Sequence, residues 1–314
     1  MLIADRPFQA VLFVALFPGA AALIAAEPTT TADDRAAFER LRKAGVVFTE
    51  TTGVVTGAFI KDTVDMTDDD FAALGSLKNL KTLNISSRKL NDQTLGLLTG
   101  MTALEALLTD AAQFSDAGLP QFAKFPNLKH IALIHTSLQR NDFTGTGLAA
   151  LAAMPNLRRL GIGGCKFNDE GMAAVAKLTQ LEDLRVGHTY QTEAGNVHLK
   201  SLRNLKILWL GQSLQPHANS SNPLSLTEAT LDVLVELKSL EVLQLSQARV
   251  TAEALGRLRV LPNLKRLGLN NIDLPAGDVA KLRAALPHFT VDWKPLSDED
   301  RATLDKFLKR KGQT

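Results

Sequence analysis

The chain has 314 residues, of which 45% are hydrophobic and 22% are charged, so it contains enough apolar material to bury a sizeable core. Its 35 lysines and arginines oppose 33 aspartates and glutamates, and the resulting net charge of +2 gives no overall field that would attract nucleic acid or an anionic membrane. The single cysteine excludes an intramolecular disulfide framework and a cysteine-ligated zinc or iron–sulfur site within one chain.

Residues 1–26 have the layout of a secretory signal peptide. A short basic head precedes an apolar stretch over residues 11–24, and small residues follow up to Ala26. A helix that spans a bilayer needs about 20 unbroken apolar residues, whereas Pro18-Gly19 interrupts this stretch. We therefore predict export to the periplasm or the cell exterior, cleavage after Ala26, and no membrane insertion of the mature chain.

Residues 27–58 are predicted to form an N-terminal linker and cap. Residues 33–43 have a helical pattern, and two short apolar runs on either side of Thr51-Thr52-Gly53 predict a pair of strands. Phe59 lies 24 residues before Leu83, which is an apolar position of the next unit, and 24 residues is the regular repeat length. Phe71 also fits the spacing of the repeat. This spacing predicts a degenerate first repeat in which Phe59 faces the core.

Residues 59–293 are predicted to consist of one unit copied about eight times. Each unit follows the frame L-x-x-L-x-x-L-x-x-L-x-L. The third apolar position of the frame falls at positions 80, 104, 128, 157, 181, 205, 240 and 264. Successive positions therefore differ by 24, 24, 29, 24, 24, 35 and 24. A period of this length indicates a stack of repeats that share one continuous core.

The period changes inside each unit. Apolar residues spaced by three positions lie on one side of a helical turn, whereas the final L-x-L has the alternation of a strand. Between strand and helix, six units carry a capping residue, followed by an acid in the first five and by alanine in the last: Asn91-Asp92, Ser115-Asp116, Asn168-Asp169, Thr192-Glu193, Thr227-Glu228 and Thr251-Ala252. The first residue is predicted to cap the helix, and the acid to favour the positive end of the helix dipole.

Residues 294–314 are predicted to form a C-terminal capping helix. Ser297 precedes Asp300 by three positions, which is the spacing of a helix N-cap. Three apolar residues share one face of this helix and are predicted to seal the last repeat: Leu304, Phe307 and Leu308.

The repeated frame resembles the leucine-rich repeat family, in the ribonuclease-inhibitor-like form with repeats of about 24 residues. Turns such as Ser115-Asp116-Ala117-Gly118-Leu119 are similar to those of exported bacterial repeat proteins and of F-box substrate adaptors, although no F-box sequence is present. The resemblance implies an α/β solenoid, a horseshoe with a parallel sheet on its concave side and helices on its convex side. It also implies that the concave sheet binds other molecules, usually proteins.

Strand alternation predicts which side chains line the concave face. Trp209 stands out as a large aromatic residue aimed at solvent beside Arg185, and these two residue types often dominate interface energies. The full set of predicted partner-binding residues is His130, Arg159, Arg185, His188, Trp209 and Gln244. The alternative is that Trp209 only packs on the sheet beneath a neighbouring loop.

Two insertions flank the strands that carry most of these residues. The two longer steps of the repeat place extra chain at 139–147 and 212–222, in both cases after a strand and therefore on the same rim. One hypothesis is that the two loops frame a binding site over a floor of glycines, at Gly163, Gly187 and Gly211. The alternative is that glycine permits tight turns there and that surface loops tolerate insertions.

The sequence contains no constellation typical of catalysis or metal binding. Cys165 lies at a turn position that small polar residues occupy in other units, which favours a buried structural thiol over a nucleophile. His135 and His188 are two repeats apart, so strand spacing separates their backbones by roughly 10 Å, too far to share an ion. The run Asp68-Asp69-Asp70 lacks the glycine and the distal glutamate of a calcium loop. We predict a protein without enzymatic activity, metal or cofactor.

These observations predict a non-catalytic recognition module of the periplasm or cell exterior that binds a protein partner on the concave sheet. Two alternatives remain open at this point. One is a structural surface repeat protein without a discrete hot spot. The other is a glycan-binding protein in which Trp209 stacks on a sugar ring.

Overall fold

The computed structural model describes residues 32–51, 54–212 and 224–310. Its strands are β1 (Val47–Thr51), β2 (Val54–Ile60), β3 (Thr82–Ser86), β4 (Ala106–Asp110), β5 (His130–Ile134), β6 (Arg159–Gly163), β7 (Asp183–Gly187), β8 (Ile207–Gly211), β9 (Val242–Arg249), β10 (Arg266–Asp273) and β11 (Thr290–Trp293). Its α-helices are α1 (Ala32–Ala44), α2 (Asp68–Gly75), α3 (Asp92–Leu97), α4 (Asp169–Val175), α5 (Glu193–Asn196), α6 (Glu228–Leu234), α7 (Ala252–Gly256), α8 (Ala276–Ala285) and α9 (Asp298–Arg310). Short 3₁₀ helices cover Leu119–Lys124, Thr146–Ala153, Val197–Ser201 and Arg257–Val260.

The strands of the described residues form one sheet in chain order. β1 and β2 pair antiparallel as a hairpin at the N-terminal edge. From β2 onward each strand pairs parallel with the next, and a helix or 3₁₀ helix leads from one strand to its neighbour. The predicted α/β solenoid with a parallel sheet is confirmed.

The core lies between the sheet and the helices. Leu83 and Ile85 of β3 are fully buried, and the corresponding pair in each following repeat is buried with them. Each buried leucine contributes roughly 1.5–3 kcal/mol by leaving water. The leucines of one repeat are covered by the leucines of the repeats on either side, so the core is continuous along the stack.

Phe59 is not the core residue that its spacing predicts. The β2–β3 register pairs Ala58 with Leu83 and Ile60 with Ile85. Ala58 and Ile60 are therefore the buried residues, and Phe59 is 37% exposed on the other face of the sheet. The reason is that the first repeat is one residue longer than the regular repeat. A shift of one residue along a strand moves each side chain to the opposite face of the sheet.

The helices vary more than the repeated frame predicts. Asn168 caps α4 as predicted, because its side-chain oxygen accepts from the amide of Gly171 at 3.1 Å. In the unit that begins at Ser115, however, a 3₁₀ helix replaces the predicted α-helix. Pro120 lies in its first turn and supplies no amide hydrogen. The Ser115 hydroxyl still accepts from the amide of Gly118 at 3.2 Å.

The acid that follows a helix cap joins neighbouring repeats. One carboxylate oxygen of Asp169 accepts from the amide of Thr192 at 2.6 Å, and the other accepts from the Thr192 hydroxyl at 2.8 Å. Asp92 binds Ser115 in the same way, and Glu228 binds Thr251. These acids therefore bind the cap residue of the next repeat, a role that the helix-dipole interpretation alone does not include.

Replacing Asp169 with alanine is expected to lower the free energy of unfolding by about 1–3 kcal/mol. The variant leaves the Thr192 amide without its acceptor, and Thr192 is only 9% exposed. Urea unfolding measures the change. The matched control is Glu170→Ala in the same helical turn, which removes an exposed acid and should change stability by no more than about 0.5 kcal/mol. Equal losses in the two variants would contradict the inter-repeat role.

The apolar face of the C-terminal helix α9 does not join the core of the repeats. Leu304, Phe307 and Leu308 of this helix form a small separate cluster with Leu224 and Leu296. Two ion pairs join α9 to the ends of β9 and β10, namely Asp305 with Arg249 and Arg301 with Asp273. The last repeat is followed instead by β11, which pairs with β10.

Two of the sequence predictions fall outside the described residues. These are the signal peptide at residues 1–26 and the second insertion, of which only Gln212 is described. Among the residues that are described, no helix is both long enough and apolar enough to cross a membrane.

Candidate functional site

The sheet face opposite the core, here called the open face, brings together most of the predicted binding residues. Strand register places Arg159, Asp183, Ile207 and Val242 in one row across β6 to β9. A second row, two residues further along each strand, contains Gly161, Arg185, Trp209 and Gln244. We define the arginine–tryptophan patch as Arg159, Asp183, Arg185, Ile207, Trp209 and Val242.

Arg185 and Trp209 form a stacked pair at the centre of this patch. The guanidinium carbon of Arg185 lies 4.2 Å from the centre of the Trp209 ring, which is a cation–π contact. Arg185 is 8% exposed, whereas Trp209 is half-buried. The stack covers one face of the indole and restricts its rotation. Trp209 is therefore held in place before any partner arrives.

Asp183 binds both arginines of the patch. Its two carboxylate oxygens accept from Nε and Nη2 of Arg185 at 3.0 and 3.1 Å. Nε of Arg159 lies 2.7 Å from one of the same oxygens, at an angle that makes the contact an ion pair rather than a directed hydrogen bond. One carboxylate thus faces two guanidinium groups, and the three side chains carry a net charge of +1.

His130 borders the patch from β5, where it pairs in register with Arg159. Burial, together with the positive charges of Arg159 and Arg185, lowers the pKa of the His130 imidazole to about 3. At neutral pH this imidazole is therefore uncharged. It adds a hydrogen-bonding group to the edge of the patch without adding charge.

The low pKa of His130 predicts a loss of stability in mild acid. Below pH about 6.5 the unfolded chain binds a proton at this residue that the folded chain does not bind, so stability falls as the pH drops from about 6.5 toward 3. Between pH 7.5 and pH 5, wild type is expected to lose about 1–2 kcal/mol more than a His130→Gln variant. Urea unfolding at both pH values measures this. The exposed His198→Gln variant is the control, and a wild-type loss no larger than that of His130→Gln would contradict the prediction.

The two remaining predicted residues lie at the margins of the patch. Gln244 is half-buried beside Trp209, and its side-chain oxygen occupies the space above Gly268, where an added Cβ would come within 2.0 Å of it. His188 lies in the turn after β7 with φ of 55°, and it is 8% exposed. Gln244 is accessible from the open face, whereas little of His188 is.

The first insertion is anchored to its own repeats. Phe143, which lies within it, is fully buried in the core. The Asp116 carboxylate accepts from the amides of Thr144 and Gly145 at 2.7 and 2.8 Å, and Lys166 donates to the carbonyl of Arg140 at 2.6 Å. Because most of the second insertion lies outside the described residues, a site framed by both loops stays a prediction.

Cys165 has the setting of a structural thiol. It is 1% exposed within the core, and burial raises the pKa of the thiol to about 12. The side chain is therefore protonated at neutral pH. In the described part of the chain, no group of three or more His, Cys, Asp and Glu residues is arranged to hold a metal ion.

The sequence interpretation did not single out Asp183 and the apolar residues Ile207 and Val242. Asp183 lies one regular repeat after Arg159 and two positions before Arg185. A step of one repeat places it beside Arg159 on the next strand, and a step of two positions places it on the same face as Arg185. The repeat register therefore contained the signal that identifies this ion cluster.

The comparison with family models agrees with the repeat pattern. A family model described as Leucine Rich repeat matches residues 153–176. A solved structure of an internalin from Listeria monocytogenes is similar to the chain at 21% sequence identity and a TM-score of 0.45, over 72% of this chain and 71% of that one. No curated protein matches the sequence.

Proposed function

We propose, from the premise that this chain is a leucine-rich repeat protein, that it is a non-catalytic recognition module that binds a partner protein on the open face of its sheet. The observation that carries the proposal is the arginine–tryptophan patch. It combines a half-buried tryptophan, two arginines and two half-buried aliphatic residues on adjacent strands. Tryptophan and arginine are the residue types most enriched at the energetic centres of protein interfaces.

The patch is also prepared for binding before a partner arrives. Arg185 is held by two hydrogen bonds to Asp183 and stacks on Trp209. A side chain that is already ordered loses little conformational entropy when a partner covers it, and this loss is otherwise about 0.5–1.5 kcal/mol for each flexible side chain. Rigidity of the tryptophan therefore favours a hot spot over a diffuse surface.

Affinity capture from the source organism's envelope fraction tests the proposal. The bait is the full chain, and the variant is the double substitution Arg159→Ala and Trp209→Ala. We expect the variant to lose the partner that wild type retains. The matched control removes one exposed valine and one exposed arginine from the helical side, Val197→Ala with Arg203→Ala.

The control should capture the partner as well as wild type does. Undiminished capture by the patch variant would refute the site. Equal, partial losses in both variants would instead favour a structural repeat protein without a discrete hot spot.

Export forms the second part of the proposal, and it rests on the signal-like pattern of residues 1–26. Expression of the full chain in a bacterial host with a Sec pathway is expected to release a mature protein that begins at Glu27. Cell fractionation followed by intact-mass measurement detects the cleavage. Recovery of the uncleaved chain from the cytoplasm would contradict this part of the proposal and leave the binding surface unaffected.

A further inference from the structure

We propose that the segment bound by the arginine–tryptophan patch is an acidic peptide, which places a carboxylate on Arg159 and an apolar or aromatic side chain on Trp209. This inference rests on the proposed function and adds the chemistry of the partner. It is carried by the charge balance of the patch, by the free hydrogen-bonding groups of Arg159, and by the apolar residues around Trp209.

Arg159 has hydrogen-bonding capacity that the described residues do not use. Its side chain is 36% exposed, and only Nε approaches Asp183. Within the described residues, its two terminal amino groups have no hydrogen-bond partner. Two parallel N–H groups of a guanidinium match the two oxygens of a carboxylate, which gives a charge-assisted bidentate contact. Arg159 thus presents a site for one carboxylate.

Another arginine of the same row is already paired one to one. Arg266 of β10 lies 2.5 Å from Asp292 of β11. In the patch, by contrast, Asp183 is shared between two arginines, which leaves an excess charge of +1. A carboxylate on Arg159 would cancel this excess.

The size of that excess favours a carboxylate over a phosphate. A phosphate group carries close to two negative charges at neutral pH, and its partial burial would require about two cations. The neighbouring His130 does not supply the second one, because burial and the arginine charges keep its imidazole neutral. The patch therefore fits a single carboxylate, with the imidazole available as a neutral hydrogen-bonding neighbour.

The apolar half of the peptide is defined by Trp209 and its neighbours. Arg185 occupies one face of the indole, so a partner contacts the remaining surface of the ring. Ile207 precedes Trp209 by two positions on the same face of β8, and Val242 pairs in register with Ile207 on β9. All three side chains are half-buried and form an apolar surface beside the arginines. An aliphatic or aromatic side chain of the partner fits this surface.

Strand spacing sets the distance between the two contacts. Arg159 lies on β6 and Trp209 on β8, two strands apart across the sheet and two residues apart along it, which together correspond to roughly 12 Å between their backbones. In a polyproline-type segment, residues i and i+3 lie on one side and about 9 Å apart. In an α-helix, residues i and i+7 lie on one side and about 10.5 Å apart. Because both side chains of the pair extend beyond these backbone spans, we expect an acid and an apolar residue, in either order, at one of these two spacings.

Peptide selection on the intact protein tests the inference. Random dodecapeptides displayed on phage are selected on immobilised wild type, after removal of those that also bind Trp209→Ala. We expect the enriched peptides to contain Asp or Glu together with an apolar residue at one of the two spacings. A synthetic peptide of the enriched sequence is then compared with its Glu→Gln counterpart by fluorescence anisotropy.

Loss of the carboxylate is expected to weaken binding to wild type about 10-fold. The Arg159→Gln variant should bind the acidic peptide about 10-fold more weakly than wild type does, and it should bind the two peptides equally well. Arg266→Gln, which removes a paired arginine from the same row, should keep the wild-type preference. Thermal unfolding of each variant confirms that it is folded, and the peptide comparison on wild type requires no variant at all.

The outcomes separate this inference from the proposed function. If Trp209-dependent peptides lack an acid, or if the Glu and Gln peptides bind wild type equally, the acidic partner is refuted and recognition at the patch stands. If acidic peptides bind but Arg159→Gln does not affect them, the assignment of Arg159 is refuted. If no peptide depends on Trp209, both this inference and the proposed binding surface are contradicted.

Discussion

Replacing Asp183 with alanine is expected to lower the free energy of unfolding by about 3–5 kcal/mol. The substitution removes the only carboxylate that binds Arg185 in the described structure, while Arg185, a residue that is 8% exposed, keeps its charge against Trp209. A buried charge without a partner keeps its full desolvation cost and loses the attraction that offset it. Urea unfolding followed by circular dichroism measures the loss.

Two further variants make this expectation specific. Asp292→Ala breaks the exposed pair with Arg266 and should cost no more than about 1 kcal/mol. Combining Arg185→Leu with Asp183→Ala also removes the charge that the single substitution leaves unpaired, so the double variant should recover much of the lost stability. A loss below about 1 kcal/mol for Asp183→Ala alone would show that the cluster is not a buried charge network.

A substitution in the leucine core is expected to have an effect of similar size. Leu133 of β5 is fully buried between the sheet and the helices of two neighbouring repeats. Leu133→Ala removes buried surface and leaves a cavity that its neighbours fill only partly, so we expect a loss of about 3–5 kcal/mol in unfolding free energy. The control is Leu97→Ala on α3, because Leu97 is 38% exposed and its loss should cost less than about 1 kcal/mol.

The strands in which the Leu133→Ala variant is destabilised also test the repeat architecture. Each repeat contacts mainly its two neighbours, so the loss of core packing at β5 should first weaken the adjacent rungs β4 and β6. Hydrogen exchange of the Leu133→Ala variant is expected to accelerate in these strands before it does so in β10 and β11. Uniform acceleration along the whole chain would contradict a stack held together by nearest-neighbour contacts.

The fold could be predicted because its signal is repeated. Each strand of the repeat region belongs to a unit with the same short frame. A unit that matches the frame poorly can therefore still be assigned from the spacing of its neighbours. Where a unit departs from the frame, the prediction fails for a local reason. Phe59 is displaced by one extra residue in the first rung, and Pro120 accompanies a 3₁₀ helix in place of an α-helix.

The roles of single side chains were harder to predict than the frame. In several units the acid after the cap binds the next repeat, and this contact becomes visible only when neighbouring units are stacked, as for Asp169 and Thr192. The C-terminal helix was expected to seal the last repeat, yet its apolar face packs against Leu224, far away in sequence. Such contacts between distant segments have no signature in a local pattern.

The arginine–tryptophan patch could be predicted only in part. Alternation and register place Arg185 and Trp209 side by side, as the sequence predicts. The same arguments do not show that Arg185 is buried under the indole, because that depends on how the two side chains stack. His188 is buried in a left-handed turn after β7, and side-chain alternation within strands does not describe the residues of such a turn.

Hydrogen–deuterium exchange of the wild-type protein with its captured partner tests the recognition surface most directly. Peptides that cover β6 to β9 should become protected when the partner binds, and those that cover α4, α6 and the other helices should not change. Protection confined to the helical side, with β6 to β9 unaltered, would contradict recognition through the arginine–tryptophan patch.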